Sequence, residues 1–108
     1  MKRMLIRYKT KPERTAENEA LIKAVFAELH ANSPEGLRYM SLKLADGSFV
    51  HFVENDAKDP TAVLQSLPAF QAFQNGIRDR CIEPPQSSEA TIVGNYRMLA
   101  GRESLASA

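Results

Sequence analysis

The sequence predicts an α+β domain in the order β-α-β-β-α-β: an antiparallel sheet of four strands with both helices on one face. Three patterns predict it. The stretch Leu37–Asn55 (LRYMSLKLADGSFVHFVEN) is two strand-like runs joined by Asp46-Gly47, a strong short-range hairpin signal. A helical apolar stripe precedes this hairpin and another follows it. Alternating runs near both ends of the chain complete the set.

The elements follow in chain order. Met4, Ile6 and Tyr8 alternate with Arg3, Leu5 and Arg7, which predicts a first strand from Arg3 to Lys9, ended by Pro12. Glu13 to Ala31 reads as a helix, with Glu13, Glu17 and Glu19 near its positive end. Its Leu21, Ile22, Val25, Phe26 and Leu29 fall within an arc of roughly 140°. Asn32-Ser33-Pro34-Glu35-Gly36 is a stop and a turn.

In the hairpin, a two-residue turn at Asp46-Gly47 sets Leu44 opposite Phe49, Leu42 opposite His51 and Met40 opposite Val53. That face is apolar except for His51. The other face carries Tyr39, Ser41, Lys43, Val50, Phe52 and Glu54. It is mixed rather than polar, so it too is expected to be covered, by a second copy of the chain.

Asn55 to Pro60 is a polar connector, and Pro60 starts a short helical turn with Val63, Leu64 and Leu67. Ser66 and Pro68 open a second helix with a stripe of Phe70, Phe73, Ile77 and Cys81. Asn75-Gly76 inside it is a weak spot, and Pro84-Pro85 stop it. Ala90 to Leu99 (ATIVGNYRML) is the expected last strand. Residues 1–99 form one ferredoxin-like domain and 100–108 a frayed tail. Sequence order places the first and third strands at the centre of the sheet.

Composition narrows the function classes. With 108 residues the chain makes one domain, and a net charge of +1 gives no electrostatic footprint for nucleic acid or an anionic membrane. The single cysteine, Cys81, cannot form an intrachain disulfide, which fits a reducing compartment. No apolar run is long enough to span a membrane, and MKRMLIRYKTK does not read as a signal peptide. A cytoplasmic location is expected.

His51 is the leading site candidate: a titratable ring among apolar neighbours, kept neutral by burial and able to act as a base or to orient a substrate. The plainer alternative is a core histidine with its hydrogen bonds satisfied. Asn18 lies mid-stripe on the first helix, where a buried amide needs a partner. His51 is one; capping or facing water is the alternative. Tyr39, Tyr8 and Tyr96 could donate protons or stack on an aromatic substrate, though strand tyrosines commonly fill core. Phe70, Phe73, Leu42 and Phe49 would line the pocket, with core packing the simpler role for the phenylalanines. Arg78 and Arg80 near the end of the second helix read as a solvated face complementing the helix dipole, with an anion site as the alternative. His30, at the end of the first helix, reads the same way. Cys81 reads as a small buried apolar group. Two histidines and one cysteine give no metal-ligand spacing, and neither a glycine-rich phosphate loop nor a Ser-His-Asp signature is present.

PEGLRYMSLKLADGSFVHFVEN, then LPAFQAF, then IVGNYRML resemble the dimeric α/β-barrel superfamily, most closely its antibiotic-biosynthesis-monooxygenase-like proteins. The resemblance implies a homodimer whose sheets pack face to face into a barrel, with a pocket in each subunit between helices and sheet. It implies cofactor-independent oxygenation of aromatic, quinol-like molecules, or haem degradation. The haem-degrading pattern has a His before the second helix and a Trp on a strand. This chain has no Trp, and Val63-Leu64-Gln65-Ser66 occupies the first position. The expectation is therefore a small cofactor-independent monooxygenase, with His51, Asn18 and Tyr39 as its catalytic residues. The alternatives are a non-catalytic binder of a small hydrophobic ligand and an accessory homodimer of the same fold.

Overall fold

A computed structural model describes residues 2–56 and 62–98. Strand β1 (Lys2–Thr10) leads through a 3-10 turn at Pro12–Arg14 into helix α1 (Thr15–Asn32). Strands β2 (Leu37–Lys43) and β3 (Ser48–Asn55) form the hairpin. Three short helices, α2 (Ala62–Gln65), α3 (Pro68–Gln74) and α4 (Ile77–Arg80), precede β4 (Cys81–Glu89). The four strands pair antiparallel in the order β2-β3-β1-β4. This is the ferredoxin-like α+β fold, with β1 and β3 central as the sequence predicts.

Helix α1 begins where Pro12 ends β1, and Arg14 holds Glu17 across its first turn at 2.6 Å. It ends at Ser33, whose left-handed backbone (φ 44°) turns its N–H back onto Leu29 O at 2.8 Å. Its buried Ile22 and Val25 meet Tyr8, Phe49 and Val53 from the sheet and Leu64, Phe70 and Phe73 from the later helices in one core.

Three expectations need correction. The hairpin register is shifted by one residue. Lys43 pairs with Phe49, Ser41 with His51 and Tyr39 with Val53. Only Gly47 of the turn has positive φ (88°), so a type I′ turn, which needs two such residues, does not form. Instead Gly47 N–H bonds Leu44 O at 3.1 Å and Leu44 N–H bonds Ser48 O at 2.8 Å, closing a three-residue loop. Asp46 Oδ1 accepts from Ser48 N–H at 2.9 Å, and Gly47 O accepts from Thr10 N–H at 3.3 Å, so the third residue is held on both sides. Because side chains alternate, this slip turns all of β2 over. Tyr39 and Ser41 face the helices, and Met40 and Leu42 face away.

The last strand is Cys81–Glu89, not Ala90–Leu99. Pro84 and Pro85 sit in it where its register against β1 shifts, between the partners of Arg7 and Lys9. An edge strand accommodates proline at such an irregularity because no neighbour requires the missing N–H. Residues 90–98 have no regular structure. Their Ile92 and Met98 form a cleft of about 340 Å³ with Met40 and Phe52 on the sheet's outer face.

The second helix is two helices. Gly76, at φ 75°, breaks it between α3 and α4. Leu99, the connector beyond residue 56 with its Pro60, and the tail from Ala100 to Ala108 lie outside the described residues.

Candidate functional site

The site is a buried polar chain inside the apolar layer. Alternation along central β3 points His51 at the helices with Phe49 and Val53, and β1 brings Tyr8 beside it. Tyr8 Oη lies 2.8 Å from His51 Nε2. The register of β2 brings Tyr39 Oη to 2.7 Å and Ser41 Oγ to 2.8 Å from His51 Nδ1. Asn18 on α1, wholly buried, donates Nδ2–H to Tyr8 Oη at 2.9 Å. The expected His51–Asn18 pair is thus bridged by Tyr8.

Behind Asn18 lies Arg80, the last residue of α4 and 2% exposed. Its Nε donates to Asn18 Oδ1 at 3.1 Å, and its Nη1 and Nη2 donate to Asn75 O at 3.1 Å and Phe73 O at 2.5 Å. Its carbon Cζ sits 5.6 Å from the centre of the Phe73 ring. The guanidinium therefore closes the C-terminal end of α3, where the break at Gly76 leaves carbonyls without helical donors. Sequence reading assigned Arg80 to a solvated face. The signal that would have placed it inside is the Asn75-Gly76 break, which rotates α4 relative to the stripe of α3.

A cavity of about 650 Å³ adjoins this chain. Tyr8, Tyr39 and His51 form one polar side of it, Lys2, Gln65, Gln74 and Ser87 are its other polar lining, and Met4, Ile6, Val53, Leu64, Phe70 and Phe73 are among its apolar lining. The His51 and Phe73 rings are 5.5 Å apart, and those of Phe70 and Phe73 5.9 Å. Of the residues expected to line a pocket, Phe70 and Phe73 line this cavity, whereas Leu42 and Phe49 line a separate, more open space of about 660 Å³ between α1 and β2. Phe49 is buried behind Tyr8, with ring centres 5.5 Å apart. Leu42 is 47% exposed on the opposite face, because the register slip carried it there. Asn18 and Ser41 act on the wall from behind it. Tyr96 is exposed in the segment after β4, as is His30 at the end of α1. Cys81 opens β4 as a buried thiol, its pKa raised by burial.

Burial sets the protonation states. It pushes His51 from the usual 6.5 down to about 4, so the imidazole is neutral at physiological pH. It raises Tyr39 to about 12, partly opposed by the Ser41 hydrogen bond, and it raises Tyr8. Both phenols keep their protons. The wall presents a neutral imidazole whose two nitrogens already have hydroxyl partners, so neither is directed at a cavity ligand or offered as a haem axial ligand. Tyr39 and Tyr8 are the hydroxyl-bearing residues of the network that line the cavity, and the Tyr8 oxygen is held by both Asn18 and His51. Among the described residues no group of three His, Cys, Asp or Glu side chains is placed to hold a metal ion, and no helix is long and apolar enough to cross a membrane.

No protein-family profile matches the sequence, and no curated protein matches it. Solved structures do match. A candidate antibiotic biosynthesis monooxygenase of Nitrosomonas europaea superposes with a TM-score of 0.70 at 15% identity, over 83% of this chain and 96% of that one. A candidate enzyme of the same name from Caulobacter crescentus gives 0.70 at 18% identity, over 85% and 89%. A conserved protein of Methanosarcina mazei gives 0.68 at 14% identity, over 82% and 89%. The chain has the fold of these proteins, as its sequence resemblance implied; identities this low carry the fold alone.

Proposed function

We propose that the chain is a small oxygenase that holds an aromatic, quinol-like molecule in the cavity beside His51 and Tyr39, without an organic or metal cofactor, and works as a homodimer joined through the outer face of the sheet. The observation that carries this reading is the wall itself: a neutral buried His51 holding the Tyr39 hydroxyl at the edge of an aromatic-lined space of about 650 Å³. Such a space suits a fused-ring ligand, and one convergent polar group would orient its oxygen. An aromatic CH₂ activated by a neighbouring phenol oxygen can supply all four electrons that dioxygen takes up. The carbon becomes a carbonyl, one oxygen atom enters it, and the other leaves as water. In this scheme Tyr39 meets the substrate oxygen, and His51 and Asn18 position Tyr39. The homodimer is supported by the exposed outer-face Leu5, Met40 and Leu42. The names carried by the structural neighbours support the reaction class.

A second reading, a non-catalytic binder, is favoured by one specific fact: both His51 nitrogens are engaged by protein hydroxyls, so no free base faces the cavity. Incubation with a panel of anthrones and naphthoquinols under ¹⁸O₂ separates the two. Enzyme-dependent ¹⁸O in the product, cut at least tenfold in Tyr39→Phe and His51→Ala, is the expected result. A rise in melting temperature without ¹⁸O incorporation selects the binder, and neither response from any compound sinks both.

A further inference from the structure

The hydrogen bonds beside the cavity have a direction, and it originates outside the cavity. A guanidinium only donates, so the Asn18 atom facing Arg80 Nε at 3.1 Å is the amide oxygen, and the NH₂ faces Tyr8. Tyr8 Oη accepts that hydrogen and has one of its own. The acceptor in reach is His51 Nε2 at 2.8 Å. Tyr8 is 2% exposed, and a buried hydroxyl hydrogen without an acceptor is an arrangement folds avoid. His51 Nε2 is therefore the bare nitrogen, and Nδ1 carries the hydrogen.

The consequence reaches Tyr39. His51 Nδ1, Ser41 Oγ and Tyr39 Oη form a cluster, with Nδ1 at 2.8 and 2.7 Å from the two oxygens. When Nδ1 donates, His51 can donate to Ser41 and Ser41 to Tyr39, which leaves the Tyr39 hydrogen free. The Ser41 hydrogen bond to Tyr39 opposes the rise that burial gives the Tyr39 pKa. In the opposite tautomer Nδ1 accepts, the two hydroxyls spend their hydrogens on each other and on the ring, and none is left over. Tyr39 lines the cavity, whereas Asn18 and Arg80 do not.

We infer that Arg80 is a positioning residue: through Asn18, Tyr8, His51 and Ser41 it polarises one continuous relay so that Tyr39 donates into the cavity, which selects a ligand presenting a carbonyl or phenolate oxygen there. The polarity stands on the protein alone; the ligand class rests on the reading that this cavity holds an oxygenated aromatic molecule.

The test reads the tautomer directly. The chain has two histidines, so ring ¹⁵N shifts of the full chain, with His30→Gln to assign them, report His51 alone. The wild type should show hydrogen on Nδ1 only. Asn18→Asp replaces the donor to Tyr8 by a carboxylate, which takes the Tyr8 hydrogen and pairs with Arg80, so the tautomer should move to Nε2–H. Arg80→Met frees the amide to rotate and should give a mixture. Hydrogen on Nε2 in the wild type overturns the inference, even if no variant folds. An unchanged Nδ1–H in either variant overturns it as well. With 1-tetralone and tetralin as probes, the wild type should bind the ketone at least tenfold tighter than the hydrocarbon. That preference should vanish in Tyr39→Phe and in Asn18→Asp, although Asn18 does not line the cavity. A ketone preference that survives in both variants overturns the inference. The expected tautomers without binding of either probe support the relay and count against the ligand reading beneath it.

Discussion

On the helix-covered face of the sheet, Tyr8, His51, Tyr39 and Ser41 are polar groups set in apolar surroundings, and each has a partner within 2.9 Å. On the outer face, Leu5, Met40 and Leu42 are 38–47% exposed, beside an ionic group in which Arg3 and Arg38 flank the buried Glu54 at 2.6 and 3.9 Å. A sheet with one wet side ordinarily shows the reverse, polar residues out and apolar residues in. The difference shows which face is complete within one chain. The inner face closes on itself, its polar side chains bonded to one another from Arg80 to Tyr39, and leaves a cavity beside the network. The outer face is bordered by Ile92, Asn95 and Met98 beside Met40 and Phe52 and still presents apolar area.

The sharpest way to break this contrast is at Phe73. Its ring packs against Tyr8, His51 and Phe70 and lies under Arg80, and its carbonyl anchors that guanidinium. Phe73→Ala should cost about 3–5 kcal/mol in denaturant unfolding, the range for a large aromatic removed from a core. Phe52→Ala on the outer face should cost the isolated subunit less than half of that. Equal losses would mean that the faces are not different in kind.

Acid sharpens the contrast next. His51 is held near pKa 4 in the folded chain against 6.5 when unfolded. Between those values the unfolded chain binds the proton and the folded one does not, so stability is full above about pH 6.5 and falls as pH drops toward 4. The expected loss is on the order of 3 kcal/mol, at roughly 1.4 kcal/mol per pKa unit. Exposed Glu17 and Asp46 and half-buried Glu19, whose pKa values are lowered by Arg14, by the Ser48 backbone and by Lys43, add their losses only further into acid. Unfolding free energies at pH 7, 5.5 and 4.5, compared between wild type and His51→Gln, isolate the share. A parallel decline in both would show that the ring is not what titrates.

The residues themselves show what the sequence could reveal. Alternation fixed the direction of His51, because β3 is central and buried and its period of two is unambiguous. The face of β2 depended on turn geometry instead. Asp-Gly permits a type I′ turn but does not compel it, and the bonds of Gly47 O to Thr10, far away in sequence, are not local information. Ser41 therefore joined His51 unannounced, and Tyr39, named as a candidate, was expected on the opposite face. Pro84-Pro85 read as a stop because position at the sheet edge, which makes proline tolerable, is a property of topology. Arg80 is the largest gap. Three hydrogen bonds, to Asn18, Phe73 and Asn75, are what make its burial possible, and they exist only once α1, α3 and α4 are assembled.

The smallest effect on the subunit belongs to the outer face, and it decides what that face is for. Leu42 is 47% exposed on edge strand β2. In an isolated subunit Leu42→Lys should change unfolding free energy by no more than about 0.5 kcal/mol, as for other exposed substitutions. A two-fold interface doubles the insult, because one substitution places a lysine from each copy in the same patch. If a twin covers this face, sedimentation equilibrium should show the wild type as a dimer and Leu42→Lys weakened at least tenfold. The melting temperature of the wild type should then rise with protein concentration and that of the variant should not. A wild type that sediments as a monomer with a concentration-independent melting temperature would leave residues 90–98 as the only cover among the described residues, and would remove the case for a twin on the exposed leucines.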